Sequence, residues 1–359
     1  MELKRTCLYQ SHIDAGAYMS AFAGFMMPIR YEGILKEHRA CRAGCVIFDT
    51  SHMARFFLQG PSAAEELNSL QTLHVGRMEI GHCRYGFFLN DQGGILDDII
   101  IYRIDKEAWM VVANAGTREQ NSKILKDGIH TASLYDTTDE KAKIDVQGPL
   151  SKVVLESLLG IDLSDLGYYR CAFFNFWGGE CLISRSGYTG ELGYELYLEN
   201  ERAIRLWTLL LKDERVKPAG LGARDTLRLE MGFPLYGQDI DAETTPIEAG
   251  LGKFVDYSHD FLGKEALQKA EARKKLVFFL SESRRAPRHG QDLRKNGTRI
   301  GTVTSGTFSP SLEKGIGAGY LEKEFTDVKE FSAGEKEDIA CKRVNKRNLV
   351  KMVHTCSRG

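Results

Sequence analysis

The chain has 359 residues, and single hydrophobic cores stop growing near about 250–300, so two or three domains are expected. With 43% hydrophobic and 27% charged residues and a net charge of -1, it offers no bulk case for nucleic-acid binding or for attraction to an anionic membrane. The longest uncharged run near the N-terminus, residues 15–29, falls short of the roughly 20 residues a bilayer span needs.

Pro28-Ile29-Arg30-Tyr31 follows that run where a cleavage region would stand, so no targeting segment is expected. Eight cysteines, at 7, 41, 45, 83, 171, 181, 341 and 356, show no C-x-x-C pair and read as free thiols of a reducing compartment. His38, Cys41 and Cys45 share one helical face. No further Cys/His cluster completes a site around them, so a packed face is expected and no metal.

In chain order, residues 7–27 suit an entry helix or short strands. The spacing predicts a helix over 31–42, ended by Gly44, then a buried strand over 46–49. A short helix is expected over 61–70. Residues 84–114 read as a meander: a strand through Phe87 and Phe88, a turn at Asn90-Asp91-Gln92-Gly93-Gly94, a strand over 95–104, and a third strand ending at Asn114. A helix over 117–127 would cross back. Beyond Gln147-Gly148-Pro149 the pattern gives a helix, strands around 171–184 and 194–198, an amphipathic helix over 201–212, and a turn and helix over 220–230. A connecting helix over 264–275 leads to an all-β stretch from 276.

Two places carry chemistry. In the run GGILDDIIIY, side chains alternate faces, so Asp97 and Asp98 point to opposite sides of a greasy strand. A buried unpaired carboxylate is costly, so each must be paired, wet or used. One reading has them binding turn amides or an arginine. The other has one projecting into a pocket as a general base or cation stabiliser. The alternation does not choose between 97 and 98. In SGYTGELGYE (186–195), three glycines permit a tight turn, Tyr188 offers a ring face, and Glu195 opens an apolar strand. A carboxylate so placed can read a planar N–H/NH2 edge; an ordinary turn with a surface glutamate fits the segment as well. Arg224, at the head of a helix, suits either a bidentate carboxylate contact or an internal salt bridge with a glutamate.

These segments, taken with SHM (51–53), VVANAG (111–116), GLGARDTLRLE (220–230), LYGQDID (235–241), TPIEAGL (245–251), DFLGKEAL (260–267) and TSGTFSPSL (304–312), occur in an order that resembles the glycine cleavage system T-protein family from about residue 5 to 322. The resemblance implies an α+β fold of three domains in a cloverleaf around a central folate channel, with a C-terminal β-barrel or jelly-roll-like domain. Residues 1–54 and 149–270 would form a split first domain with folate-binding residues. Residues 55–148 would be an inserted domain carrying the catalytic aspartate, and 275–359 the β-rich domain. It implies an aminomethyltransferase that moves the one-carbon unit from lipoylated H-protein to tetrahydrofolate, releasing ammonia and forming 5,10-methylenetetrahydrofolate. Asp98 matches the family's catalytic aspartate, Glu195 the residue on the pterin edge, and Arg224 the arginine of the folate site. Tyr85, Val112, Asn114, Tyr168, Tyr188, Phe233 and Met53 match channel-lining positions.

The sequence departs from the family at Phe25, where FAGF replaces FAGW, and in the basic tail from about Phe331, which lacks the usual Pro-Phe ending. That tail suits a solvated surface, or attraction of an acidic H-protein or a polyglutamate chain. The rival readings are a tetrahydrofolate-dependent demethylase and a non-enzymatic folate-binding accessory protein. The second would place a cysteine within the stretch that here reads 259–265, which has none. The expected compartment is a bacterial cytoplasm, or a mitochondrial matrix after removal of a presequence.

Overall fold

The computed structural model describes residues 2–334 and 339–357. The chain divides into two compact units: Met1–Phe88 with Asp97–Arg224 and Asp256–Leu262, and Leu89–Leu96 with Asp225–Val255 and Gly263–Gly359.

The first unit holds two large sheets. One has six strands in the order Cys171–Phe176, Gly179–Ser184, Gly193–Glu199, Lys141–Gln147, Cys45–Asp49, Val216–Pro218. All neighbours are antiparallel except the last pair. Period-2 alternation decides its two faces. Ile47, Ile144, Val146, Ile183, Leu196 and Leu198 join the main core with Leu155 and Trp207 of the Ser151–Leu159 and Asn200–Leu210 helices. The opposite face carries Phe48, Lys143, Asp145, Gln147, Glu195 and Tyr197, and it too is buried. Strand Lys141–Gln147 lies inside the segment expected as the inserted domain, yet its ladder joins it to this sheet.

The other sheet follows the order Cys83–Leu89, Ile95–Asp105, Ala108–Ala113, Ala54–Gln59, Ser133–Asp136, which is the meander read from the sequence with two strands added. Helices Ala63–Leu70 and Arg118–Gly128 cover one of its faces. From the other face Tyr102, Met110 and Val112 meet Leu182 and Tyr197 of the first sheet, with Met53 and Ile100 packed against them. Near the N-terminus, Tyr18–Phe22 and Phe25–Arg30 form a hairpin whose turn residues Ala23 and Gly24 both have positive φ.

Two helix boundaries differ from the expectation. The helix expected from residue 31 begins at Ile34, because the Glu37 carboxylate turns back to accept the backbone N–H groups of Tyr31 and Gly33. The helix expected over 264–275 stops at Lys269. Lys274 and Lys275 are drawn instead into the Lys274–Ser281 strand, paired with Glu322 and Leu321.

That strand opens the second unit's closed barrel, ordered Lys274–Ser281, Lys314–Glu322, Thr298–Ser309, Asp292–Lys295, Glu330–Ala333, Ile339–Val344. Asp239 knots the unit together: it accepts from Arg228, Thr304 and Ser305, while its carbonyl accepts from Tyr320. The LYGQDID and TSGTFSPSL segments are thus tied by one buried carboxylate. The basic tail turns Lys342, Arg347 and Lys351 to solvent, as a solvated surface does, while its backbone is built into the unit. It supplies two barrel strands and helix Lys346–Ser357, whose Leu349 and Val353 are buried. Lys342 pairs with Glu330, Arg343 donates to the Thr326 carbonyl, and Lys346 donates to the Gly232 carbonyl. Arg358 lies outside the described residues.

Candidate functional site

Strand Ile95–Asp105 separates the two aspartates. Asp97 points to the helix-covered face and is fully buried. It accepts hydrogen bonds from the Asn114 backbone N–H (3.1 Å), Asn114 Nδ2 (2.7 Å), Thr117 Oγ1 (2.7 Å), Asn121 Nδ2 and the Asp98 N–H (3.0 Å). All of these donors but the Asp98 N–H come from the start of the Arg118–Gly128 helix and the turn before it. Asp97 therefore fixes that turn to the strand, in the manner of a capping acceptor. Burial pushes its carboxyl up, and this set of donors pulls it back.

Asp98 points the other way and is only half-buried in side-chain terms. Its Oδ2 accepts from Tyr85 Oη at 2.9 Å and its Oδ1 from Asn114 Nδ2 at 2.8 Å. Both partners are neutral. Burial, and next the Asp97 charge, push the Asp98 carboxyl up to about 7. Burial and Asp98 itself push the Tyr85 hydroxyl up as well, so it stays a donor. Asn114 serves both aspartates, so the structural carboxylate also orients the donor of the open one.

Glu195 is 4% exposed, which overturns the reading of a turn with a surface glutamate. Its Oε1 is 2.6 Å from Lys143 Nζ; its Oε2 accepts from Ser186 Oγ (2.7 Å) and Tyr102 Oη (3.0 Å). Lys143 Nζ also donates to Asp145 Oδ1 at 2.5 Å, and Asp145 Oδ2 accepts from Arg224 Nη1 at 2.8 Å. Arg224 thus has the internal ion pair expected as an alternative, with an aspartate in place of a glutamate. Its guanidinium also lies 4.9 Å from the Tyr188 ring centroid. Burial works against the Asp145 charge, but Lys143 and Arg224 hold its carboxyl below the usual range. Two glycines of SGYTGELGYE provide clearance for a buried side chain. A Cβ at Gly187 or Gly193 would overlap the Gln147 carboxamide, which donates to the Ser186 carbonyl.

Arg55, fully buried, shapes the SHM segment by donating to the Ser51 and Met53 carbonyls and to those of Thr138 and Lys141. Burial pushes it down to about 10. His52 lies beneath the hairpin, its ring 5.6 Å from that of Phe22 and 6.2 Å from that of Phe25. Burial pushes its imidazole down to about 4, and its Nδ1 has no hydrogen-bond partner among the described residues.

The structure therefore places Asp98, Tyr85, Asn114, Val112, Met53, Tyr188, Glu195 and Arg224 in the first unit, on or beside the facing sides of its two sheets. Tyr168 is 69% exposed, its ring edge-on to Tyr169 at 4.8 Å. Phe233 belongs to the second unit, with Lys346 Nζ 5.0 Å from its ring centroid. The sequence reading missed Lys143, Asp145, Tyr102 and Ser186. The signal was the strict alternation of KAKIDVQ, whose polar face the sheets enclose.

The comparisons agree along the chain. Residues 8–259 match a family described as the GCVT N-terminal domain, and 274–351 match the glycine cleavage T-protein C-terminal barrel domain. The aminomethyltransferase of Halothermothrix orenii is 42% identical over 327 residues, covering 89% of this chain and 92% of the relative. That of Bacteroides fragilis is 40% identical over 338 residues, covering 91% and 93%. Among solved structures, the glycine cleavage system aminomethyltransferase T from Bartonella henselae superposes with a TM-score of 0.91 at 34% identity, covering 98% of this chain and 99% of that one.

Proposed function

Because this chain belongs to the glycine cleavage T-protein family, we propose that its open carboxylate and its buried row of charges serve one reaction. The activity is aminomethyl transfer within the glycine cleavage system. In the finer reading, the donor is the aminomethyl group on the lipoyl arm of H-protein and the acceptor is tetrahydrofolate, a substrate. The chemistry of the residues fits that acceptor. Glu195 offers a carboxylate to the N–H/NH2 edge of a pterin, Tyr188 and Tyr85 offer ring faces, and Arg224 offers a cation.

The observation that carries the reading is Asp98. It stands on the open face, between two neutral donors, with its carboxyl pushed up to about 7. A folate nitrogen attacks the methylene carbon, the carbon–sulfur bond breaks, and the sulfur leaves with the electron pair. The attacking nitrogen must lose a proton, and Asp98 accepts it. The anionic carboxylate also steadies positive charge on the carbon as it transfers. The second folate nitrogen then attacks the same carbon and loses its proton, the carbon–amine bond breaks, and the amine takes a proton to leave as ammonia. Tyr85 and Asn114 hold Asp98 in place, Met53 and Val112 line the wall, and Tyr168 and Phe233 remain proposed channel positions by resemblance.

The split first domain, the inserted domain and the β-rich domain expected from the sequence stand as part of this proposal, with strand Lys141–Gln147 joined to the split first domain's sheet, as does a bacterial cytoplasm, in keeping with the bacterial relatives. No helix among the described residues is long and apolar enough to cross a membrane. Neither the demethylase nor the accessory-protein reading is favoured by any observation.

The test is tetrahydrofolate binding by calorimetry, wild type against Glu195→Ala, followed by aminomethyl-loaded H-protein and detection of ammonia. Binding with ammonia release supports the reading. Binding without release points to the demethylase or the accessory protein. No binding removes the folate site altogether.

A further inference from the structure

The six-stranded sheet sets two carboxylates against each other. Glu195 and Asp145 are direct partners in the register of two antiparallel strands, and both are buried. Like charges directly opposite destabilise a sheet, and removal from water makes the conflict worse. Lys143, two residues before Asp145 on the same face, resolves it. Its ammonium lies 2.6 Å from Glu195 Oε1 and 2.5 Å from Asp145 Oδ1, with Thr50 Oγ1 at 3.2 Å, and the side chain is 1% exposed. Glu195, Lys143, Asp145 and Arg224 thus alternate in sign along one buried row. Among the described residues, Glu195's remaining side-chain partners are hydroxyls: Tyr102, Ser184, Ser186 and Tyr197.

We propose that Lys143 is a positioning residue for substrate recognition: acting through Glu195, it keeps that carboxylate ionised, so the site selects a ring edge that presents two N–H donors. The inference rests on the reading that Glu195 meets the pterin edge of tetrahydrofolate. An ionised carboxylate offers acceptors only. A protonated one offers a donor and an acceptor, and it mismatches an N–H/NH2 edge. Without Lys143, two opposed carboxylates would share a proton. Asp145 keeps Arg224 and Thr50, so the proton goes to Glu195.

Asp98, on the facing sheet, does titrate in this range, pushed up to about 7 by burial and next by the Asp97 charge; the remaining titratable groups facing the row do not compete near neutral pH. Burial pushes Tyr102 and Tyr197 up, Cys83 and Tyr169 up, and Tyr168 up, so all stay neutral. Burial pushes His52, which also feels Lys143, down to about 4. Asp49, beside His52, is held down to about 2: burial opposes this, but its hydrogen bond with His12 outweighs that.

The experiment is calorimetry with tetrahydrofolate under argon between about pH 6 and pH 8.5, with a thermal melt of each variant at each pH. The wild type sets the reference profile, which carries any contribution from Asp98; each variant keeps Asp98 and is read as its ratio to wild type at the same pH. Relative to wild type, Lys143→Met is expected to bind weakly at the acid end and to regain up to about tenfold per pH unit as pH rises. The sign follows from the competent form being the anion: a raised carboxyl is protonated at low pH and loses the proton as pH rises. Lys143→Arg restores the charge and is expected to restore the wild-type profile. Lys143→Gln donates to the same oxygens without a charge; it is expected to slope as Met does, and it keeps the test readable if the Met variant does not fold. A folded Met or Gln variant weakened by the same factor relative to wild type at every pH overturns the inference, since that is what a merely structural lysine would give. If the wild type itself fails to bind, the folate reading falls and the inference with it.

Discussion

Asp98 and Asp145 are both carboxylates taken largely out of water, on facing sheets of the same unit, yet they are partnered in opposite ways. Asp98 accepts from a phenol and a carboxamide, with a second carboxylate one residue away, and its carboxyl is pushed up to about 7. Asp145 lies between an ammonium and a guanidinium at 2.5 and 2.8 Å, and its carboxyl is held below the usual range although burial opposes this. Neutral donors position a carboxylate while leaving it able to take a proton; cations fix it as an anion. Burial alone does not set the outcome. One sheet face thus carries a group suited to moving a proton, and the other carries a row suited to holding charge still.

The largest effect should come from the proton-accepting side. Asp98→Asn keeps the shape and both neutral partners but cannot accept the proton. Turnover in the coupled assay with aminomethyl-loaded H-protein is expected to fall about 10²–10⁴-fold, the usual range for a lost general base. Tetrahydrofolate affinity should change little. The wild-type rate should rise with pH through about 7, because the base must be ionised to act. Full activity in Asp98→Asn would erase the contrast between the two faces.

Next comes the charge-holding side. Glu195→Gln removes a carboxylate acceptor and leaves Lys143 with Asp145 as its charged partner beside the Thr50 hydroxyl. Tetrahydrofolate binding is expected to weaken by about 10–100-fold, from the 1.5–3 kcal/mol typical of a hydrogen bond to a charged group. Turnover at saturating substrate should stay within a few-fold. If turnover collapses while affinity holds, Glu195 belongs with Asp98 and the division of labour is wrong.

How far the sequence shows this division can be argued residue by residue. The strand with both aspartates and its Gly-rich turn are legible, because alternation and turn chemistry are local. The Asn90 carbonyl and Gly93 N–H close that turn at 3.0 Å. Which aspartate stays open is not legible from the pattern. It depends on where Thr117 and Asn121 of a later helix land, a tertiary fact. Lys143 and Asp145 were missed because KAKIDVQ alternates as a half-solvated strand does, and nothing local says that a second sheet covers the polar face. The tail's lysines and arginines were legible as solvent-facing, but its closing helix was not. Its buried Leu349 and Val353 are two apolar letters among many charges.

Asp97 offers a third test, because it is neither proton acceptor nor fixed anion of the row but a structural hub. Asp97→Asn replaces one acceptor oxygen by an NH2, so at least one of the donors from Asn114, Thr117 and Asn121 loses its acceptor and the others keep only a neutral one. A loss of about 1–3 kcal/mol in stability is expected from denaturant unfolding. Activity should fall as well, through the loosened Asn114 that orients Asp98. A stable, fully active Asp97→Asn would separate the two aspartates more sharply than the geometry does.

The smallest effect tests the comparison on stability alone. A carboxyl raised in the folded state binds its proton more tightly folded than unfolded. Between its unfolded value of about 3.9 and about 7, the folded chain therefore holds more protons, and stability falls as pH rises through that window. Asp145 has the opposite sign: its depressed carboxyl contributes stability above the unfolded value, which is lost as pH falls through the folded one. Asp98→Asn should consequently be more stable than wild type at about pH 8, by on the order of 1 kcal/mol after allowance for its half-open side, and no more stable at about pH 4. Asp145→Asn should be less stable at about pH 8, and the deficit should shrink toward acid. Thermal melts of the two variants across pH read both signs at once. Parallel curves would mean that the two carboxylates are held alike, whatever their neighbours.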